Sequence, residues 1–153
     1  MAKSRIISYC LLTFFVALTI VWLVQFNCYQ VLYFQEQTQL FRFNWFYFNT
    51  FLLQPGGLTS YLGAFLTQFN FYPWVGASIL SCMLAGKYRL FDSICRPNVK
   101  PAYLFVLSFI PVLLWLMALA SQLFLTSYLI GVIIALVGFR IYLSFKAPVR
   151  YLK

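Results

Sequence analysis

The sequence predicts an all-α, polytopic membrane protein with four transmembrane helices and amphipathic, interfacial helices in the first outer loop. Three observations carry this. Of 153 residues, 63% are hydrophobic, 22% aromatic and only 8% charged, whereas a soluble domain is about one-quarter charged. Four apolar runs punctuate the chain, and ten of the eleven basic residues fall on one side of them.

The first run, IISYCLLTFFVALTIVWLV (residues 6–24), carries no charge and is long enough, at 1.5 Å per residue, to cross a hydrocarbon core of about 30 Å. The opening MAKSR before an apolar run also has the shape of a signal peptide. The run is longer than a usual signal core, however, and the bulky WLVQFNCYQ after it offers no small-residue cleavage site, so it is expected to stay as an uncleaved first helix. The second run (71–86) is slightly short. The third (102–121) and fourth (123–143) are separated only by Gln122 and read as a tight helical hairpin. Pro111 in the third frees a backbone carbonyl and kinks the helix, which Ser108 or a neighbouring helix can offset. Gly76, Gly86, Gly131 and Gly138 offer small faces for close helix packing, although no GxxxG spacing occurs.

Orientation follows from the cations. Lys3 and Arg5 precede the first run; Lys87, Arg89, Arg96 and Lys100 lie between the second and third; Arg140 sits at the end of the fourth, where its side chain can reach outward, and Lys146, Arg150 and Lys153 follow it. Only Arg42 lies opposite. Both termini and an 87–101 loop are therefore expected on the cytoplasmic side of a bacterial inner (plasma) membrane, with 25–70 as an outer loop and 144–153 as a tail. The net charge of +9 is spread over short loops beside apolar runs. It is expected to meet lipid headgroups, through Lys87, Arg89, Arg96, Lys100, Lys146, Arg150 and Lys153, and not nucleic acid.

The outer loop is the least ordinary stretch. Residues 35–53 fit a helix with Phe41, Trp45, Phe48 and Leu52 on one face, although alternation over residues 41–45 keeps a strand in play locally. The Pro-Gly-Gly at 55–57 suits a turn. After it, Leu58, Tyr61, Leu62, Phe65, Leu66 and Phe69 recur at helical spacing, with Thr59, Ser60, Gly63, Thr67 and Gln68 opposite. That pattern predicts a short amphipathic helix lying against its own protein and the outer lipid boundary, with its large apolar residues such as Leu62 and Phe65 on the buried face and Ser60 and Thr67 on the wet one. Phe41, Arg42, Trp45, Tyr47, Leu58, Tyr61, Leu62 and Phe65 are the expected interfacial or partner surface, since aromatic rings with polar tips favour the headgroup level.

Little in the chain suggests catalysis. Four cysteines, Cys10, Cys28, Cys82 and Cys95, form no CxxC motif and read as small packing residues; with no histidine, neither a metal site nor a cofactor is expected. Glu36, in the polar cluster QEQTQ, is the one acid of the outer loop and the only catalytic candidate: a carboxylate can serve as a general base or hold a divalent cation. The favoured reading is a solvated or helix-capping glutamate, because a lone carboxylate lacks the partner that most two-group hydrolytic schemes require. Asp92 lies three residues after Arg89 and four before Arg96, a spacing for local charge pairing.

The strings EQTQLF and QPGGLTSYLGAFLTQFNFYPWVGASI, covering mainly 36–80, resemble the N-terminal region of an uncharacterised bacterial family of multi-spanning membrane proteins, a domain of unknown function. The resemblance brings no activity. It implies longer relatives with more spans, and hence that this chain is a short or truncated form. The layout is also loosely similar to the start of membrane glycosyltransferases that use polyprenyl-linked sugars, where an acidic residue early in the first outer loop serves catalysis. Glu36 has the matching place, but the paired acidic motif is missing.

Three functions follow as expectations. A non-enzymatic membrane module or accessory subunit, partnered by the bilayer and by another membrane protein or a second copy of itself, needs only what is visible. Second stands part of a glycosyltransferase-like enzyme acting through Glu36. A small transporter comes third, because none of the expected spans holds an interior acid.

Overall fold

The computed structural model describes residues 2–27, 32, 34, 36–37, 41–97, 101–119, 121 and 124–149. Among these every regular element is helical, with no strand. Helix α1 spans Ala2–Trp22 and passes into a π-helical turn, Leu23–Asn27. Helices α2 (Trp45–Leu52) and α3 (Gly57–Thr67) form a pair, and a 3-10 turn, Gln68–Phe71, leads into α4 (Pro73–Cys95). Helices α5 (Pro101–Leu119) and α6 (Thr126–Val149) complete the chain.

Helix α4 is the hub, packing against α1, α5 and α6. Pro73 at its first position suits a helix start, where the missing N–H has no partner to lose. Its buried residues Ala77, Leu80, Ser81, Leu84, Lys87, Tyr88 and Asp92 fall at three- and four-residue spacing, so one stripe runs along nearly the whole helix. Around it gather Leu23 and Leu32 from the N-terminal part, Val112 and Leu119 from α5, and Leu129 from α6. Thr19 and Ser81, both fully buried, are hydrogen bonded at 3.0 Å between α1 and α4.

Several expectations change. The region expected as a cytoplasmic loop from residue 87 is helix as far as Cys95, because the buried stripe does not stop at Gly86. The expected hairpin of the third and fourth runs is looser: α5 packs principally on α4, and α6 on α3 and then α4, rather than on each other. Helix α5 continues through Pro111, and the Ser108 hydroxyl, expected to offset the proline, is buried without a hydrogen bond among the described residues. A Cβ on Gly76 would lie 2.4 Å from Asn70 Oδ1, so this glycine is a true close approach; Gly86 and Gly138 face open space. Cys10 and Cys82 sit on the exposed side of their helices instead of packing inside, and Cys28 lies outside the described residues.

The outer stretch is broken where one helix was expected. Residues 41–44 are non-helical, and α2 begins only after Asn44 (φ −138°, ψ 139°), whose side-chain oxygen accepts from the Phe46 N–H at 3.3 Å. The turn between α2 and α3 depends on two glycines. Gly56 has φ +75°, and a Cβ on Gly57 would lie 1.6 Å from the Phe51 carbonyl oxygen.

The largest correction concerns α3. Its buried residues are Gly57, Gly63, Ala64 and Thr67, while Leu58 and Leu62, expected inside, are 56% and 40% exposed. The small face meets α6, and a Cβ on Gly63 would stand 2.9 Å from the Ser127 backbone nitrogen. Close backbone approach demands small side chains. Ser60 with Ala64, Gly63 with Thr67, and Ser127 with Gly131 supply that four-residue spacing without the two glycines of the named motif.

Candidate functional site

The aromatic residues of this stretch are arranged across α2 and α3 rather than along one face. Tyr61 is its centre, with ring centroids at 5.0 Å from Phe41, 4.9 Å from Phe48 and 6.0 Å from Phe51. Phe41 also meets Tyr47 and Phe65, at 5.8 and 5.5 Å, and its carbonyl accepts from Gln68 Nε2 at 3.2 Å. These edge-to-face contacts each add about 0.5–1.5 kcal/mol beyond area burial. Burial, helped by the nearby Tyr61 phenol, raises the Tyr47 phenol above its ordinary range. Of the expected surface residues, Phe41, Tyr47, Tyr61 and Phe65 therefore pack together, whereas Arg42, Trp45, Leu58 and Leu62 remain exposed.

Glu36 lies in a helical residue pair, half-buried, before the extended stretch. The other carboxylate, Asp92, is committed elsewhere: it accepts from Arg96 at 2.5 Å, one turn along α4. The expected local charge pairing is thus found with Arg96. No group of three potential metal ligands occurs among the described residues.

Lys87, expected at lipid headgroups, is inside the bundle. It is 2% exposed, its Nζ donates to the Pro111 carbonyl at 3.0 Å, and it stands 4.3 Å from the centroid of the Trp115 ring. The carbonyl supplies a hydrogen-bond acceptor and the indole face a cation–π contact, so both partners of this ammonium group are neutral. The signal was present in the sequence, since Lys87 continues the Leu80 and Leu84 spacing.

The remaining cations form a site that the sequence did not reveal. Arg89, Asp92, Ser93 and Arg96 recur on one face of α4 at three- and four-residue spacing. Together with Pro97, and with Arg140 from α6, they line a cleft of about 470 Å³. Arg89 and Arg140 are half-buried, and Asp92 is 7% exposed. Arg140 was expected only to reach outward from a helix end, whereas it faces the α4 cations. Of the other expected headgroup contacts, Lys100, Arg150 and Lys153 lie outside the described residues, as does the Lys146 side chain.

Comparison with curated proteins and with solved structures finds no match. A family match does exist, and it reaches well beyond the stretch 36–80 that carried the resemblance: the family of unknown function DUF6057 is matched over residues 3–152. With nearly all of its length covered, this chain belongs to the DUF6057 family of unknown function.

Proposed function

We propose that this chain is an integral membrane module, with α1, α4, α5 and α6 as its four spans and α2 and α3 at the outer boundary, acting as a non-enzymatic accessory subunit. The observation that carries the reading is the exposure of large apolar side chains around an interior that also holds polar ones. Thr19, Ser81, Ser108 and Thr126, each 0–1% exposed, share that interior with the leucines and Tyr88. Large apolar side chains cover the outside, with Phe14 at 66%, Leu114 at 62%, Met117 at 74% and Phe145 at 75% exposure. In water such a surface is a liability far beyond the few hundred Å² of apolar patch usual on a monomer. In hydrocarbon it is the solvated face, and small or polar residues are what helix contacts use.

Among the described residues one helix segment, Thr126–Phe145, is by length and apolarity sufficient to cross a membrane; its mean hydropathy is 2.0 and only 11% of it is buried. The apolar stretches Cys10–Gln25 and Tyr103–Leu119 are shorter. Tilt or local thinning of the bilayer accommodates a short span at modest cost. The basic bias places both termini and residues 96–101 in the cytoplasm of a bacterial cell. No observation favours the glycosyltransferase alternative, since Glu36 acquires no second acidic partner.

The test combines extraction and labelling. The chain is expected to stay with membranes after alkaline carbonate washing and to require detergent for release. In a background with Cys10, Cys28, Cys82 and Cys95 replaced by serine, an impermeant thiol reagent on intact cells should label Asn49→Cys and spare Asn98→Cys. Release by carbonate would overturn the membrane reading, and equal or reversed labelling would overturn the topology.

A further inference from the structure

We propose that α2 and α3 form a re-entrant hairpin that dips from the outer boundary into the outer half of the bilayer beside α6, its far side covered by the acyl chains of outer-leaflet lipid. The proposal rests on the membrane reading above and adds the depth of the pair and the partner that covers it.

The depth follows from the register of α3 on α6. A Cβ on Gly63 would stand 2.9 Å from the Ser127 nitrogen, and one on Gly131 would stand 3.8 Å from Thr59 Cγ2. Four residues back along α3 therefore match four residues forward along α6, so the two helices lie side by side and run in opposite directions. Carried on to the first residue of α3, the same register sets Gly57 beside residue 133. That is seven residues into α6, which starts at Thr126, and about 10 Å below its outer end. Half of a hydrocarbon core is about 15 Å. A pair lying flat on the surface would cross α6 at one level instead of following it.

Helix α2 descends and α3 returns. Phe48 meets Tyr61 and Phe41 meets Phe65, with centroids 4.9 and 5.5 Å apart, so the chain before the turn pairs antiparallel with the chain after it. Asn49, next to Phe48, stands about 5 Å below the outer end of α6, within side-chain reach of the headgroup layer and of reagents outside the cell.

The composition of the hairpin suits this depth. No charged residue occurs between Arg42 and Lys87. At the tip Leu53 and Leu58 are 88% and 56% exposed, and Trp45 and Phe46 on the descending helix are 72% and 75% exposed. Backbone groups in hydrocarbon have no water to turn to. Here the Leu53, Gln54 and Gly57 N–H groups donate to the Asn49, Phe51 and Gln54 carbonyls, those of Thr59 and Ser60 donate to the Gly56 carbonyl, and Pro55 has no N–H. The Thr50 and Thr59 hydroxyls turn back in the same way, donating to the Tyr47 and Gly56 carbonyls at 2.7 and 2.6 Å. The Gln54 amide is left as the polar side chain of the tip, to be offset by the apolar residues around it.

The experiment places single spin labels in the full chain, with Cys10, Cys28, Cys82 and Cys95 replaced by serine, reconstituted in phosphatidylcholine vesicles. Labels go on Leu53→Cys and Leu58→Cys, with Gln68→Cys, Tyr128→Cys and Ile134→Cys as depth markers, all at exposed positions. Collision with oxygen, which concentrates in hydrocarbon, should exceed collision with a water-soluble nickel chelate several-fold at Leu53 and Leu58, as at Ile134. The reverse should hold at Gln68, and the depth at Leu53 should match Ile134 rather than Tyr128. Neither hairpin label displaces a buried side chain, and either one alone decides the test. Nickel contact at Leu53 and Leu58 as high as at Gln68, with Ile134 still shielded, would overturn the depth and return the pair to the surface. Shielding of both from oxygen and nickel alike would overturn the lipid assignment in favour of a covering protein, a second copy included. Nickel contact at Ile134 itself would refute the membrane reading, so the two failures are distinguishable.

Discussion

Gly63→Leu is expected to lower the unfolding midpoint of the detergent-purified chain sharply, while Leu62→Ser, one residue away, leaves it nearly unchanged. At Gly63 the first added carbon would already lie 2.9 Å from both the Ser127 nitrogen and its Cβ, and 3.0 Å from its Cα. Two of those atoms belong to the backbone of α6 and cannot swing aside. The helices must part, which breaks the small-residue contact that attaches the outer pair to the bundle. Overpacking of this kind costs about 1–3 kcal/mol and sometimes more. Leu62 is 40% exposed, so its replacement falls in the range of surface changes, about 0.5 kcal/mol. Thr67→Leu, at a residue 1% exposed, should behave like Gly63→Leu. Similar small losses for all three would mean that α3 does not dock on α6 through this face.

That comparison also marks where the sequence was readable and where it was not. The helices were legible because uncharged runs and periodicity are local properties, and the turn at Gly56 and Gly57 was legible because its backbone needs are local too. The buried face of α3 was not. Assigning Leu58 and Leu62 to the inside assumed that water lies outside, and the hydrophobic periodicity of a helix says which faces differ, not which one packs. Gly63, Ala64 and Thr67 point inward because α6 comes close there, a fact that depends on residues sixty positions away in the chain, roughly, and on helix packing by small residues.

The arginine cleft was half legible. Arg89, Asp92 and Arg96 share a face by spacing alone, and the Asp92–Arg96 pair was foreseeable from it. Arg140 joins them only through the packing of α6 on α4, which no local pattern encodes. Lys87 was misplaced for a different reason. A lysine after an apolar run and a glycine looks like the beginning of a loop, and the continuing Leu80–Leu84–Lys87 spacing was the weaker-looking signal.

Lys87→Glu is expected to have the other large effect, and to separate these two placements of residue 87. In the bundle the ammonium group donates to the Pro111 carbonyl and sits over the Trp115 ring, so both of its partners present electron density. A carboxylate in the same place meets an oxygen and a π-face, each of which repels it, and it loses water without compensation. Burying an uncompensated charge costs about 3–5 kcal/mol. Lys87→Met keeps the length of the stem, removes the charge and leaves an apolar group against Trp115. Replacement of a buried ionic contact by a well-packed apolar one is often neutral or mildly stabilising. The expected result is therefore a variant with glutamate that is scarcely recovered from membranes or melts far below the parent, beside a methionine variant within about 1 kcal/mol of it. If residue 87 instead sat in a loop among lipid headgroups, neither substitution would disturb the fold, and both variants would melt with the parent. Near-equal midpoints for glutamate, methionine and lysine would thus remove Lys87 from the interior of the bundle and return it to the boundary.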